Sequence, residues 1–219
     1  RSVVMLNEDG DETKSQLYMY LGTKQEKGAN FAEKAGLTNG QLYTISVKNA
    51  RTDLKFRANY KIGEKAEVGF NPLNTDPAFA DVQAQAQGAG TTFSRVEDGE
   101  WDPKNPNVYY FLTTESNKDA GATTPNPAEP TISRDGGALW RLTFKDAQNP
   151  AAGAEIEMLL NGGESLYLSK PDNITVTNDG KYVMLQEDPG NNAALARIIA
   201  YRVSDGKIAV VGQFDANKF

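Results

Sequence analysis

Short apolar runs separated by Gly, Asn, Asp and Pro set the rhythm of this chain. Runs at Val3 to Leu6, Gln16 to Leu21, Gln41 to Val47, Glu67 to Phe70, Val108 to Thr113 and Ala138 to Phe144 read as strands, as do Ala154 to Leu160, Ile174 to Val176, Tyr182 to Leu185, Arg197 to Val203 and Ile208 to Phe214. Two helical patches interrupt them. Asn30 to Ala35 is a short turn stopped by Gly36, and a segment capped by Asp76 and opened by Pro77 continues through Phe79, Val82 and Ala86 to Gly88. Residues 116–137, with Pro125, Pro127 and Pro130, read as an insertion loop between strands.

The strands repeat. Val4-Met5-Leu6-Asn7-Glu8-Asp9 recurs as Val183-Met184-Leu185-Gln186-Glu187-Asp188. More widely, Glu97-Asp98 matches Asp172-Asn173, Tyr109 to Glu115 matches Tyr182 to Asp188, Leu139 to Phe144 matches Ile198 to Val203, and Glu155 to Leu160 matches Lys207 to Gly212. A recurring quartet of antiparallel strands predicts an all-β protein built as a β-propeller. The N-terminal segment fits as a third copy lacking its opening strand, whereas residues 50–92 fit the repeat least. About three blades result, too few for a ring of about four to eight. The expectation is therefore that residues 1–219 form the C-terminal portion of one propeller domain, whose N-terminal blades lie outside this chain.

Composition narrows the chemistry. The 219 residues, 39% of them hydrophobic, suffice for a core, and a net charge of -6 argues against a nucleic-acid partner. There is no Cys and no His, which removes thiolate chemistry, histidine bases and the commonest zinc ligands. No stretch approaches the roughly 20 apolar residues of a membrane span, and the chain opens on Arg1, which reads as a processed or fragmentary product.

What remains is carboxylates, and they recur at equivalent places. Glu8-Asp9 and Glu187-Asp188 end equivalent strands, while Glu97-Asp98 and Asp172-Asn173 begin equivalent strands. Inner strands of separate blades would bring these ends to one funnel, where hard oxygen donors suit Ca²⁺ better than Zn²⁺. Taken singly, an acidic pair beside Gly or Pro is also what a solvated turn looks like, and repetition is what favours the metal funnel. Trp101, Trp140 and Tyr109-Tyr110 read as strand packing residues rather than a ligand platform.

Several stretches in one order also resemble the PhoX family of bacterial alkaline phosphatases. They are Phe93 to Pro103, Tyr110 to Thr114, Leu139 to Leu142, Leu17 to Lys24, Lys34 to Thr38, Pro171-Asp172-Asn173 and Gln186-Glu187-Asp188. The resemblance implies a secreted, periplasmic or cell-surface bacterial enzyme, a six-bladed propeller carrying several calcium ions together with iron, that hydrolyses a small phosphoester. It makes Arg95 a phosphate-facing residue and Glu97 a metal-binding catalytic residue, although Val96 stands where the family has Pro. It makes Asp172 a metal ligand beside Asn173; the repeat adds Glu8, Glu187 and Asp188.

The family also uses a cysteine and an Asn-His-Glu-like segment that this sequence lacks. If the N-terminal part of the same propeller supplies them, the chain alone is expected to be inactive; if the whole protein lacks them, the propeller is kept and the phosphatase lost. Two other readings stay open at this stage. One is a non-catalytic, calcium-stabilised interaction module, and the other a propeller lactonase or esterase.

Overall fold

A computed structural model describes residues 1–10, 14–76, 81–115, 137–162, 168–189, 196–215 and 217–218. Twelve strands occur in three consecutive groups: β1 (Ser2–Asn7), β2 (Leu17–Gly22), β3 (Gln41–Val47) and β4 (Ala66–Pro72); β5 (Val96–Trp101), β6 (Val108–Thr113), β7 (Ala138–Phe144) and β8 (Ala154–Leu160); β9 (Pro171–Val176), β10 (Tyr182–Glu187), β11 (Arg197–Arg202) and β12 (Ile208–Gln213). Each group is an antiparallel meander. The quartet read from the repeat is thus present in the second and third groups with the expected strand equivalences.

The groups are not all separate sheets. Ala66, Glu67 and Val68 of β4 pair with Ile156, Glu155 and Ala154 of β8, so the first two groups form one eight-stranded sheet folded back through its outer strands. The last group is its own four-stranded sheet. In the first group, β4 is added after the three strands that the repeat accounts for. β1 is an edge strand, whereas its sequence counterpart β10 is flanked by β9.

Every residue of β6, Val-Tyr-Tyr-Phe-Leu-Thr, is buried, because the middle group is covered on both faces. Side chains alternate across a strand, so Tyr109 and Phe111 enter the core shared with Leu17, Met19, Ile45 and Phe93, while Tyr110 and Leu112 enter the core shared with Ile174, Val183, Leu185 and Ile199. At the centre of the first core stands Trp140, fully buried, its indole donating to Thr113 Oγ1 at 3.1 Å and its ring within 4.9 Å of Phe56 and 5.4 Å of Phe93.

Among the described residues, three helices decorate the first group. α1 (Phe31–Lys34) is capped by Asn30, as expected. α2 (Asp53–Asn59) was not anticipated; it is short, capped by Thr52, and buries only Asp53 and Phe56, too few apolar positions to show a helical period. α3 (Val82–Ala89) starts at an Asp81 cap rather than the expected Asp76, and the interval 77–80 lies outside the described residues. Residues 116–136 of the expected insertion loop also lie outside them.

Replacing Trp140 by Ala should cost about 3–5 kcal/mol, the usual range for emptying a large aromatic site in a close-packed core. Urea unfolding of the two proteins measures it; a loss below about 1 kcal/mol would mean that this core is not packed as described.

Candidate functional site

The site forms where β5 and β9 lie side by side without pairing as strands. Two carboxylates of β5 stand in for a strand ladder: Asp98 Oδ2 accepts from Ile174 N at 3.3 Å and Glu100 Oε2 from Val176 N at 2.6 Å. Both inner strands also carry a register shift at the acidic residues. On β5 it falls between Val96 and Gly99, the interval that holds Glu97 and Asp98. On β9, Gln186 pairs with Asn173 and Glu187 with Pro171, which leaves Asp172 as the extra residue. A bulge re-aims side chains that strict alternation would send elsewhere, and here it brings Glu97 and Asp172 into hydrogen-bond contact.

An open cleft of about 350 Å³ lies on the β1 side of this pair, lined by Met5, Asn7, Asp9, Val96, Glu97, Asp98, Gly99 and Tyr109. Asn7 fastens β1 to its floor, donating to the Glu97 carbonyl and accepting from the Tyr109 hydroxyl at 3.0 Å. Gly99 lets that tyrosine approach, since a Cβ there would lie 2.2 Å from the Tyr109 oxygen.

Arg95 enters from a strained turn. Its φ of 62° is left-handed, and Lys170 at the matching place before β9 has φ 47°. Neighbouring bonds hold the conformation: Thr114 N donates to Arg95 O at 2.9 Å, Glu115 N to Ser94 O at 3.2 Å, and Ser94 N to Asp53 Oδ2 at 3.4 Å. Ser15, fully buried, ties the two sides together. Its Oγ accepts from Val96 N at 2.6 Å and donates to Glu8 O at 2.5 Å, while its carbonyl accepts from Phe93 N at 2.9 Å. The Arg95 guanidinium then meets Asp9 through Nε to Oδ1 at 3.0 Å and an η-nitrogen to Oδ2 at 2.9 Å, reaches Glu97 Oε1 at 3.3 Å, and lies 4.0 Å from Glu115 Oε1.

Burial pushes the Glu97 carboxyl up to about 8, helped by repulsion from Asp172 and Asp9 and opposed by Arg95. Burial and the Asp188 charge raise Asp172 as well. The two carboxyls are close enough to influence one another, and burial with repulsion from neighbouring carboxylates makes both harder to ionise. Crowded carboxyls of this kind are the donor chemistry that a hard divalent cation neutralises. Glu97 and Asp172 therefore fit such an ion as part of an open site. Among the described residues no three acidic side chains form a metal-holding group, so a full calcium shell of roughly six to eight oxygens needs donors beyond this pair.

The structure gathers Arg95, Glu97 and Asp172, with Asp188 in electrostatic reach of Asp172. Asn173 stays beside this group: it is exposed and lines a groove with Met184 and Ile198, and its side-chain amide donates to Asp172 Oδ2 at 3.3 Å. The structure places the remaining candidates elsewhere. Glu187 is fully buried, accepting from Ser169 N at 2.7 Å and from the Arg197 guanidinium at 2.6 and 2.8 Å. Glu8 accepts from the Tyr18 hydroxyl at 2.7 Å and from Gln83 Nε2 at 2.8 Å. Asp9 and Glu115, by contrast, join the site without having been singled out as ligands. The signal was in the repeat, where Asp9, Glu115 and Asp188 share one position and Glu8, Thr114 and Glu187 the preceding one.

These features define an all-β protein with a basic fork set among carboxylates between adjacent sheets. The family model for alkaline phosphatase PhoX matches residues 1–216, and the chain belongs to that family. Its fold is that of Pseudomonas fluorescens PhoX, solved in complex with vanadate, a transition state analogue: TM-score 0.62, 15% identity, 95% of this chain covered. The chain spans 41% of the length of that protein. No curated protein matches it.

Two outcomes test this geometry. Ser15→Ala leaves the buried Val96 amide without its acceptor and should cost about 1–3 kcal/mol in urea unfolding. Between the ordinary glutamate value of 4.5 and about 8 the folded state holds a Glu97 proton that the unfolded state has lost, so metal-free stability should fall as pH rises through that window. Glu97→Gln should flatten the fall; melting curves at pH 5 and pH 8 that drop equally in both proteins would refute the assignment.

Proposed function

We propose that this chain is the portion of a calcium-dependent phosphomonoesterase that holds the phosphoryl group. The observation that carries the reading is the Arg95 guanidinium standing 3.3 Å from Glu97, which is itself bonded to Asp172, at the rim of an open cleft. Membership of the PhoX family supports a phosphatase, and the vanadate bound by the Pseudomonas protein supports a phosphoester as the substrate class.

In this reading Arg95 grips two non-bridging phosphoryl oxygens with its planar fork and offsets the charge that builds on them. Glu97 and Asp172 would hold the cation, with Asp188 near Asp172 and the Asn173 amide steadying the Asp172 carboxylate; Glu8 and Glu187 serve the surrounding structure. Calcium, and iron if it is bound, would supply Lewis acidity toward the phosphoryl oxygens. The strained turn at Arg95, braced by Ser15 and Asp53, fixes the direction of the fork before substrate arrives.

The rest of the propeller has places to dock. Val4, Leu6, Tyr20 and Leu42 line an apolar groove on the outer face of β1 to β3, and Met184 and Ile198 line another on the outer face of the last sheet. We assign these two faces to the N-terminal part of the same propeller, in an exported bacterial protein. No helix among the described residues is long and apolar enough to cross a membrane.

The full-length protein should hydrolyse p-nitrophenyl phosphate with calcium present and lose turnover on thorough chelation. Arg95→Ala should lower kcat/KM by about 100- to 1,000-fold, the usual cost of one preorganised charge donor. Turnover indifferent to both chelation and Arg95 would sink the reading; a calcium-dependent rise in melting temperature without hydrolysis would favour a binding module instead.

A further inference from the structure

The Arg95 fork already holds an anion. Its Nε and one η-nitrogen bond the two oxygens of Asp9 at 3.0 and 2.9 Å, the paired geometry in which a guanidinium takes carboxylate or phosphate. The other partners of the guanidinium are less well placed: Glu97 touches one η-nitrogen at 3.3 Å, and Glu115 stands 4.0 Å from the other. Asp9 therefore occupies the Nε–Nη edge of the guanidinium, one of its two edges able to take a pair of phosphoryl oxygens; the other edge faces Glu97 and Glu115.

Asp9 is also suited to leave. The backbone just before it is fixed, since Ser15 Oγ bonds the Glu8 carbonyl and Glu8 N bonds Gln16 O at 3.2 Å. Its side chain is 43% exposed and that of Arg95 35%, so water can take over the solvation of a displaced carboxylate. Half-exposed ion pairs are weak, and a phosphomonoester dianion brings twice the charge of the carboxylate it replaces.

We propose that Asp9 is the internal occupant of the anion seat on Arg95, a specificity residue that an incoming phosphomonoester must displace. Because the exchange swaps one negative charge for two, the seat favours dianions over singly charged phosphodiesters. The proposal rests on the phosphatase reading for the identity of the anion, but not on turnover.

The test is titration of metal-free chain with inorganic phosphate, followed by calorimetry and by the Arg95 Nε–H resonance. Asp9→Asn should bind phosphate about fivefold more tightly than the parent, the upper range expected for releasing one exposed ion pair. Glu115→Gln removes the same charge near the same guanidinium without freeing the fork, and should change affinity less than twofold. Asp9→Glu should return affinity toward that of the parent. Equal gains from Asp9→Asn and Glu115→Gln would overturn the proposal, as would an Arg95 resonance that phosphate does not move in any variant. Failed hydrolysis with a fivefold gain here would leave the seat standing without the phosphatase; hydrolysis with Asp9 irrelevant would do the reverse.

Discussion

The arrangement depends on two side-chain carboxylates replacing a strand ladder between β5 and β9. Amides on the first strand of a sheet must find acceptors when covered, and another backbone strand is the usual source. Here Asp98 and Glu100, two residues apart on β5, accept from Ile174 and Val176, two residues apart on β9. That spacing aligns the strands while keeping them in separate sheets, which leaves room between them for Glu97 and Asp172. It also divides the acidic residues by role. Asp98 and Glu100 each commit an oxygen to a β9 amide, whereas Glu97 and Asp172 lie close enough to influence one another's protonation.

A second constraint is the backbone in front of each inner strand. Arg95 and Lys170 both adopt left-handed conformations that cost a non-glycine residue of order 1–3 kcal/mol. The strain persists because each carbonyl is claimed by the following strand, Arg95 O by Thr114 N and Lys170 O by Asp188 N at 2.8 Å. The turn lifts the Arg95 side chain out of the sheet's alternation and toward Asp9 and Glu97. Ser15 then makes this turn and the end of β1 a single unit, so the fork and its carboxylate partner are positioned by the same buried hydroxyl.

The repeat made the strand quartets readable, because equivalent residues fall on equivalent strands from β5 to β12. It also drew attention to the acidic pairs, but it selected Glu8 where the side chain that reaches Arg95 is that of Asp9. At a strand end successive side chains point to opposite sides. Glu187 and Thr114 turn inward and are buried, and Glu8 turns to Tyr18 and Gln83, while Asp9 and Glu115 reach Arg95 and Asp188 influences Asp172. The bulges at Glu97-Asp98 and Asp172 leave no mark in composition or spacing, nor does the pairing of β4 with β8, which joins two repeats through their least similar strands. α2 was hidden for a related reason: its key residue, Asp53, is a polar one, buried against Arg57 and aimed at the Ser94 amide.

The site therefore combines a rigid side and a yielding one. Glu97 lies on β5, which sets Val96 into the first core and pairs with β6, the strand buried on both faces. Arg95 is held by the bonds on either side of its turn. Asp9 is different in its side chain: its backbone is anchored through Ser15, but it follows β1, which among the described residues pairs with β2 alone, and its carboxylate projects into solvent. Of the carboxylates around the guanidinium, Asp9 thus has the most exposed side chain. On the proposal made above, an exchange of partners at Arg95 would proceed through Asp9 alone, leaving the carboxyl pair and the strained turn in place for the incoming anion.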